Sequence, residues 1–248
     1  QVSAQAVDML TLGIETSERR VSISLFSDET MLAERSLSHS GRRHAQSLVA
    51  EVDRLFRDYS HRPSDVGLVA VSCGPGSFTG LRIGLTCAKT LAYAARASLV
   101  PIETFAAIVA NTRVTSTTPL TVIADAQRGE FFVQQFRPPQ SCLVNATTAW
   151  KAVGTIEIVR PDVLQTAFAD SVFTGPGLER LPDPVLRQVR TTAPGERFPT
   201  ARMVARLGLE RAATDQITPN QLDELALLEP LYIRRSAAED QWEARGRT

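Results

Sequence analysis

The sequence predicts a folded α/β protein with two unequal domains. Hydrophobic residues make up 43% and charged residues 22% of the 248 residues, which is ordinary for a globular protein and excludes a disordered or fibrous chain. Segments with the two-residue period of strands alternate with segments that repeat every three to four residues, as helices do. A loop rich in Ser, Thr and Pro at 115–119 separates a domain at 9–114 from a smaller domain at 115–235.

The first half is predicted to contain three strands and then alternating helices and strands. The three strands at 9–15, 21–26 and 31–37 are separated by polar turns, which favours an antiparallel meander. The elements predicted after them are a helix at about 43–59, an apolar strand at 67–73, a helix at about 80–97, a strand at 99–102 and a helix from 104. This β-β-β-α-β-α-β-α order is typical of one half of an actin-like ATPase fold.

The second half is less regular in sequence. A strand pair is predicted at 120–125 and 130–137, and a helix at 200–213. The region 140–195 is interrupted by Pro and Gly and gives no clear pattern. The ends of the chain are predicted to be a flexible leader at 1–8 and a charged tail at 236–248.

Charge and cysteine content limit the class of function. The chain has 27 basic and 27 acidic residues and so lacks the overall positive charge of an autonomous nucleic-acid binder, although a local patch is compatible with this balance. Cys73, Cys87 and Cys142 lie far apart, which argues against a disulfide framework or zinc knuckle. No apolar run reaches the roughly 18 residues of a membrane span, and the first residues lack a signal-peptide pattern. We therefore expect a cytoplasmic protein that does not bind membranes.

The strongest local signal is GPGSFTGLRIG at 74–84, between a predicted apolar strand and a predicted helix. Backbone amides and the positive end of a helix dipole can hold an anion at such a junction. The spacing matches neither GxGxxG nor GxxxxGKS/T, and the glycines could instead serve a tightly packed crossover, with Ser77 or Thr79 as helix cap. The residues of this phosphate-loop-like segment are Gly74, Gly76, Ser77, Phe78, Thr79 and Gly80.

The predicted second helix is apolar on nearly all sides, which is typical of a helix that is covered all round. Two explanations are open: burial beneath the second domain or the neighbouring helix, and a subunit interface. The small residues of this helix recur at steps of three and four, a spacing that lets another helix lie close. We favour the interface, whose predicted residues on this helix are Leu81, Gly84, Leu85, Ala88, Leu91, Ala92 and Ala95.

Two acidic residues and three histidines are the remaining candidates for chemistry. Glu15 and Asp125 each end an apolar strand, where ligand sites of α/β folds lie, but strand-ending acids are also common in turns. His39, His44 and His61 do not have the spacing of a helical metal-binding pair. We expect no metal site.

Five segments, in this order along the chain, resemble the bacterial TsaB (YeaZ) family. They are LGIETS at 12–17, RRHAQSL at 42–48, VSCGPGSFTGLRIG at 71–84, DAQRGEFF at 125–132 and EPLYIRR at 229–235. The family is the paralogue of TsaD in the machinery that makes threonylcarbamoyladenosine on tRNA, and it was formerly grouped with M22-like glycoproteases. The resemblance implies an actin-like ATPase (ASKHA) fold of two ribonuclease-H-like domains, the second reduced.

The resemblance also implies a non-catalytic subunit without catalytic residues. TsaD carries a helical histidine pair for a metal, whereas this chain has His44 and then Leu48 where the second ligand would fall. Position 15 is Glu where Asp is usual, and Gln127 and Phe132 replace a frequent Arg and Tyr. These departures argue against nucleotide binding by the chain alone. No cofactor is implied, beyond at most weak ATP or ADP binding in the assembled complex.

The implied partners are proteins of the same machinery. Family members pair through the first two long helices, either with a TsaD-like paralogue or with themselves, and this adds Leu48 and Val52 to the predicted interface. A TsaE-like ATPase would join through that pair, and tRNA only indirectly. The alternative is a stand-alone nucleotide-binding phosphotransferase of the same fold. A metalloprotease is disfavoured because the sequence has no HExxH or equivalent ligand cluster.

Overall fold

The structure is a computed structural model that describes residues 9–37, 44–113, 118–138, 150–215 and 222–234. The predicted leader, the charged tail, His39 and Cys142 lie outside the described residues. The strands are β1 (Leu10–Glu15), β2 (Val21–Ser27), β3 (Thr30–Leu37), β4 (Val66–Gly74), β5 (Ser98–Glu103), β6 (Leu120–Asp125), β7 (Phe131–Arg137), β8 (Lys151–Val159), β9 (Val172–Thr174) and β10 (Arg190–Thr191). The α-helices are α1 (His44–Asp58), α2 (Phe78–Ala95), α3 (Thr104–Ala110), α4 (Pro161–Ala167), α5 (Asp183–Leu186), α6 (Ala201–Asp215) and α7 (Leu222–Leu227).

The two five-stranded sheets have the same topology. The first has the order β3-β2-β1-β4-β5, in which β1 pairs antiparallel with β2 and parallel with β4. The second has the order β10-β9-β6-β7-β8, in which β6 pairs antiparallel with β7 and parallel with β9. The second sheet therefore repeats the plan of the first with shorter strands at one edge and shorter helices. This confirms the predicted α/β, actin-like fold with a reduced second half.

Helices cover both faces of the first sheet because its central strands are apolar on both sides. In β4, Val69 and Val71 pack with the α1 and α2 side chains, whereas Leu68 and Ala70 pack with α3 and α6. Alternate residues of a strand point to opposite faces, so α1 and α2 lie on one face and α3 and α6 on the other. The same arrangement explains why the 67–73 run has no polar alternation.

The end of the chain packs back on the first half, which corrects the assignment of all of 115–235 to the second domain. Helix α6 lies against β1 and β4, and α7 lies against α2, where Leu225 is buried. The next residues cross to the second half: the Leu231 amide donates to the Cys73 carbonyl at 2.7 Å, and the Arg234 guanidinium donates to the Ala126 carbonyl at 2.6 Å. We call residues 222–234 the C-terminal strap, since they join both halves.

The position of α2 also corrects the predicted subunit interface. Leu81, Gly84, Leu85, Ala88, Ala92, Leu48 and Val52 are all buried inside the single chain, and Leu91 and Ala95 are partly buried against the same core. The helix is apolar on nearly all sides because the sheet, α1 and α7 each cover one side of it. The small residues therefore let α2 lie close to the sheet of its own chain and to the turn between β1 and β2. The outward side of α2 carries Arg82, Thr86, Thr90 and Tyr93 instead.

Three glycines, two in α2 and one just before it, pack directly against the turn between β1 and β2. A Cβ atom on Gly76 would lie 2.4 Å from the Ser17 carbonyl oxygen, and one on Gly80 would lie 2.1 Å from the Thr16 carbonyl oxygen. A Cβ on Gly84 would lie 2.0 Å from the Thr16 hydroxyl oxygen. We call this contact the glycine seam. Only hydrogen side chains allow the two segments to come so close.

We expect Gly76→Ala to destabilise the protein by about 1–3 kcal/mol, because the backbone of the turn must move to accept a methyl group. Gly195→Ala is the matched control, since nothing lies within 4 Å of the Cβ position there. Urea unfolding followed by circular dichroism measures both variants. Equal stability of Gly76→Ala and Gly195→Ala would show that the seam is not tightly packed.

Candidate functional site

The segment predicted to bind phosphate starts the second helix rather than forming an open loop. Phe78, Thr79 and Gly80 already belong to α2, and Ser77 is its N-cap, whose hydroxyl accepts from the Gly80 amide at 3.2 Å. The Ser77 amide donates to the Ser17 carbonyl at 2.7 Å. The sequence left Ser77 and Thr79 as alternative helix caps. The structure shows that Ser77 is the cap of α2. The observed contacts support the packed crossover and use the Ser77 and Gly80 amides, whereas anion binding at this segment stays a prediction.

An aromatic contact covers the outer side of the same helix end. The Phe78 ring lies 5.1 Å from the Tyr232 ring of the C-terminal strap, and the Arg82 guanidinium lies 5.4 Å from the Phe78 ring centre. On the inner side, a Cβ on Gly74 would meet the Leu231 carbonyl oxygen at 3.1 Å. The strap and the β1–β2 turn thus pack against Gly74–Gly80 from two directions, while Ser77, Phe78 and Thr79 stay exposed.

The β1–β2 turn uses its own amides internally. The Thr16 amide donates to the Ser72 hydroxyl at 3.2 Å, and the Ser17 amide donates to a Glu15 carboxylate oxygen at 2.6 Å. The Ser17 hydroxyl donates to that same oxygen. Amides in a strand-to-strand turn can bind an anion only when they are free to donate to it. Those of Thr16 and Ser17 are not.

The two predicted carboxylates, at the ends of β1 and β6, both lie close enough to Glu18 to act on its charge. Glu15 is fully buried at the end of β1, and its second carboxylate oxygen has no hydrogen-bond partner. Burial raises the pKa of Glu15 to about 7, and the hydrogen bonds from Ser17 only partly oppose this. Asp125, at the end of β6, accepts from the Gln127 amide at 2.7 Å and so shapes the turn after the strand. This is the turn-forming role that was open for Asp125 from the sequence.

Two further carboxylates that the sequence did not single out belong to this group. Burial, together with the negative charges of Glu15, Asp125 and Glu179, raises the pKa of Glu18 to about 8. Glu18 follows the LGIETS segment directly, so its position beside a strand-end acid could have drawn attention to it. Glu179 lies in the 140–195 region, where no pattern pointed to it. We call Glu15, Glu18, Asp125 and Glu179 the carboxylate cleft.

Negative phosphate oxygens bind to free amides or cations. At this site the Thr16 and Ser17 amides are already bonded. The cations here lie beside acidic groups: Arg19 acts on Glu18, and Arg20 lies 3.9 Å from Glu179. Within the ranges that the structure describes, no group of three or more His, Cys, Asp or Glu side chains could hold a metal ion. In the same ranges, no helix is long and apolar enough to cross a bilayer.

The chain is similar in sequence to proteins that are named for the threonylcarbamoyladenosine modification of tRNA. A family model described as "TsaD: tRNA N6-adenosine threonylcarbamoyltransferase" matches residues 32–155, which are half of the chain. The tRNA threonylcarbamoyladenosine biosynthesis protein TsaB of Bacillus subtilis (strain 168) is 32% identical over 124 residues, or 50% of this chain and 53% of the relative. The Escherichia coli (strain K12) protein of the same name is 26% identical over 180 residues, or 71% and 74%. The chain thus spans about half the length of the Bacillus relative and about three quarters of the Escherichia one.

The fold agrees with a solved structure from the same group. YeaZ from Pseudomonas aeruginosa superposes with a TM-score of 0.68 at 22% identity, covering 91% of this chain and all of the other. At that identity the likeness establishes the fold, including the reduced second half. Together with the sequence matches, it leads to one assignment: the chain belongs to the TsaD-type family that the model describes and, within it, to the TsaB (YeaZ) proteins.

Proposed function

We propose that this protein is a non-catalytic subunit of the assembly that forms threonylcarbamoyladenosine on tRNA. The names of the similar proteins in Bacillus subtilis and Escherichia coli assign them to the biosynthesis of this nucleoside. The observation that carries the proposal is a contrast between two surfaces of the chain. The amides of the β1–β2 turn donate within the chain at Thr16 and Ser17, while large apolar side chains such as Val49 of α1 and Tyr93 of α2 are exposed.

The apolar exposure is concentrated on one side of the molecule. Seven of the ten large hydrophobic side chains that are exposed among the described residues lie on or next to α1, on α2, or on the strap packed against α2. These seven are Val49, Tyr59, Phe78, Tyr93, Leu227, Leu231 and Tyr232. Tyr93 and Val49 are the most open on the two long helices, with 60% and 59% of their surface exposed. Such a concentration is typical of a protein–protein contact surface.

The proposed partner is a TsaD-like paralogue, or a second copy of this chain, bound through the outward side of α1 and α2. A partner with the same fold would present an equivalent helix pair, and two pairs can pack as a four-helix arrangement. We propose that a TsaE-like ATPase binds to this pair of subunits and that this pairing itself involves tRNA only indirectly. The partner surface replaces the inward residues that the sequence suggested, because those already pack within the chain.

The carboxylate cleft supports the non-catalytic part of the proposal. A stand-alone phosphotransferase would need donors for the phosphates and a cation opposite them. The amides of Thr16, Ser17 and Ser77 donate within the chain, and Glu15 and Glu18 are acidic neighbours of the same cleft. We propose that the chain alone needs no cofactor, and that any ATP or ADP binding is weak and arises in the assembled complex.

We expect Val49→Glu to abolish pairing with the TsaD-type protein of the same organism while the fold is retained, because a buried unpaired carboxylate opposes association. Val163→Glu is the matched control, since Val163 is an exposed valine on α4, away from the proposed surface. Sedimentation velocity of each variant, alone and mixed with the partner, gives the result. Wild-type pairing by folded Val49→Glu would remove α1 from the interface.

The inward face of α2 should respond differently. Ala88 has no exposed surface, so Ala88→Arg is expected to unfold the chain rather than only to prevent pairing. If the Ala88→Arg variant folds but does not pair, the small-residue face of α2 belongs to the subunit interface after all.

We expect the stability of the protein to decrease as pH rises from about 4.5 to about 8. The pKa of Glu15 is raised from 4.5 to about 7 and that of Glu18 to about 8, so the folded state holds protons that the unfolded state has lost. The stabilising effect of these bound protons is fully present below pH 4.5, the pKa of both carboxyls in the unfolded state. It is lost as pH rises past their folded-state pKa values of about 7 and about 8. The free energy of unfolding, measured in urea between pH 4.5 and 9, should fall less steeply in Glu15→Gln. Identical slopes for wild type and Glu15→Gln would contradict the buried, protonated carboxyl.

A further inference from the structure

A cavity of about 490 Å³ lies on the face of the first sheet that carries α3 and α6. It is bounded by the end of α3, by the 194–196 turn and by the first turns of α6. The proposed partner surface is on the opposite face of the sheet, so subunit pairing leaves the cavity open. Its polar and charged lining is formed by Asn111, Thr112, Arg113, Glu196, Arg202 and Arg206.

Positive charge exceeds negative charge in this lining. Three guanidinium groups face one carboxylate, that of Glu196. Arg206 has a further acidic neighbour outside the cavity lining, with 3.6 Å between its Nε and an oxygen of Glu210. Arg113 forms no hydrogen bond or ion pair with any residue that the structure describes. The cavity therefore keeps cationic donors that the protein does not use.

Arg202 is held in place with part of its hydrogen-bonding capacity unused. Its Nη2 donates to the Asn111 side-chain oxygen at 3.3 Å, while its Nε is buried and has no acceptor. Asn111 is itself fixed, because its Nδ2 donates to the carbonyls of Gly195 at 3.3 Å and Phe198 at 3.2 Å. A buried charged donor without an acceptor destabilises a fold and calls for a missing ligand or a functional role.

The binding groups are side chains and not the amides at the start of α6. The Ala201 amide donates to the Ser22 hydroxyl at 2.9 Å, and the Arg202 amide donates to a Glu34 carboxylate oxygen at 2.9 Å. The Met203 amide donates to the Thr200 carbonyl at 3.0 Å. An anion in the cavity would therefore be held by the guanidinium groups.

We propose that this cavity binds a phosphate group through Arg113, Arg202 and Arg206. Guanidinium groups form two parallel hydrogen bonds with phosphate oxygens, and a tetrahedral phosphate can meet three of them from different directions. The phosphate comes either from the backbone of an RNA or from a small phosphorylated metabolite. The RNA source rests on the proposed function, whereas the phosphate site itself does not.

Inorganic phosphate tests the site on the 248-residue chain alone. The melting temperature is measured in phosphate from 0 to 20 mM, with sodium chloride added to hold ionic strength constant. We expect phosphate to raise the melting temperature of the wild type and to have no effect on Arg206→Gln or Arg113→Gln. Arg187→Gln is the control, since Arg187 is largely exposed directly after α5 and lies 3.8 Å from Asp183, its ion-pair partner. Two cavity variants are used so that a folding defect in one does not decide the result.

An unmodified tRNA transcript distinguishes the two sources of phosphate. If RNA is the ligand, each arginine variant lowers tRNA affinity and reduces the slope of log K against log salt by about 1. Loss of the inorganic-phosphate effect with unchanged tRNA binding supports the site with a small metabolite as its ligand. No effect of phosphate, or an equal effect on wild type, cavity variants and Arg187→Gln, overturns the site. Failure of the proposed function would appear separately, as a lack of subunit pairing.

Discussion

The close contact between the β1–β2 turn and the start of α2 is the constraint on which the rest of this structure depends. The turn carries the Glu15 carboxylate inward and directs its own amides to Ser72 and Glu15. The glycines opposite it let α2 approach until backbone meets backbone. One contact thus fixes the second helix on the sheet and sets which side of α2 faces outward.

The C-terminal strap extends this constraint to the second half. Leu225 packs in the first core and Ile233 beside the second, so the strap has an apolar anchor in each half. Between these anchors, Leu231 bonds to the end of β4, and Arg234 bonds to the β6–β7 turn and pairs with Glu130. The apolar exposure on α2 is continuous with Tyr232 of the strap. The proposed partner surface is therefore built from segments at two distant places in the sequence.

Periodicity predicted the fold well where strands and helices are long. The strand at 67–73 and the helix at about 43–59 match β4 and α1 closely, because burial on two faces or one gives an unambiguous pattern. It failed for 140–195. There β9 and β10 have three and two residues and are too short to show a period, and the nine-residue edge strand β8 has no buried residue to mark an apolar face. The second helix was located correctly, but its apolar character gave no information on what covers it. That depended on α7, more than 120 residues away in sequence, as the Lys89 contact with the Ala226 carbonyl illustrates. Glu179 was missed for a similar reason, because it lies far from Glu15 and Glu18 in the sequence.

The central proposal is that internal contacts take the place of nucleotide binding at the carboxylate cleft and that the protein acts through a partner. Isothermal titration of Mg-ATP into the purified chain alone tests this most directly, with Asp125→Asn as the companion variant. The account predicts no saturable heat of binding for either protein up to millimolar nucleotide. Saturable binding by the wild type that is lost in Asp125→Asn would contradict it and would favour a phosphotransferase.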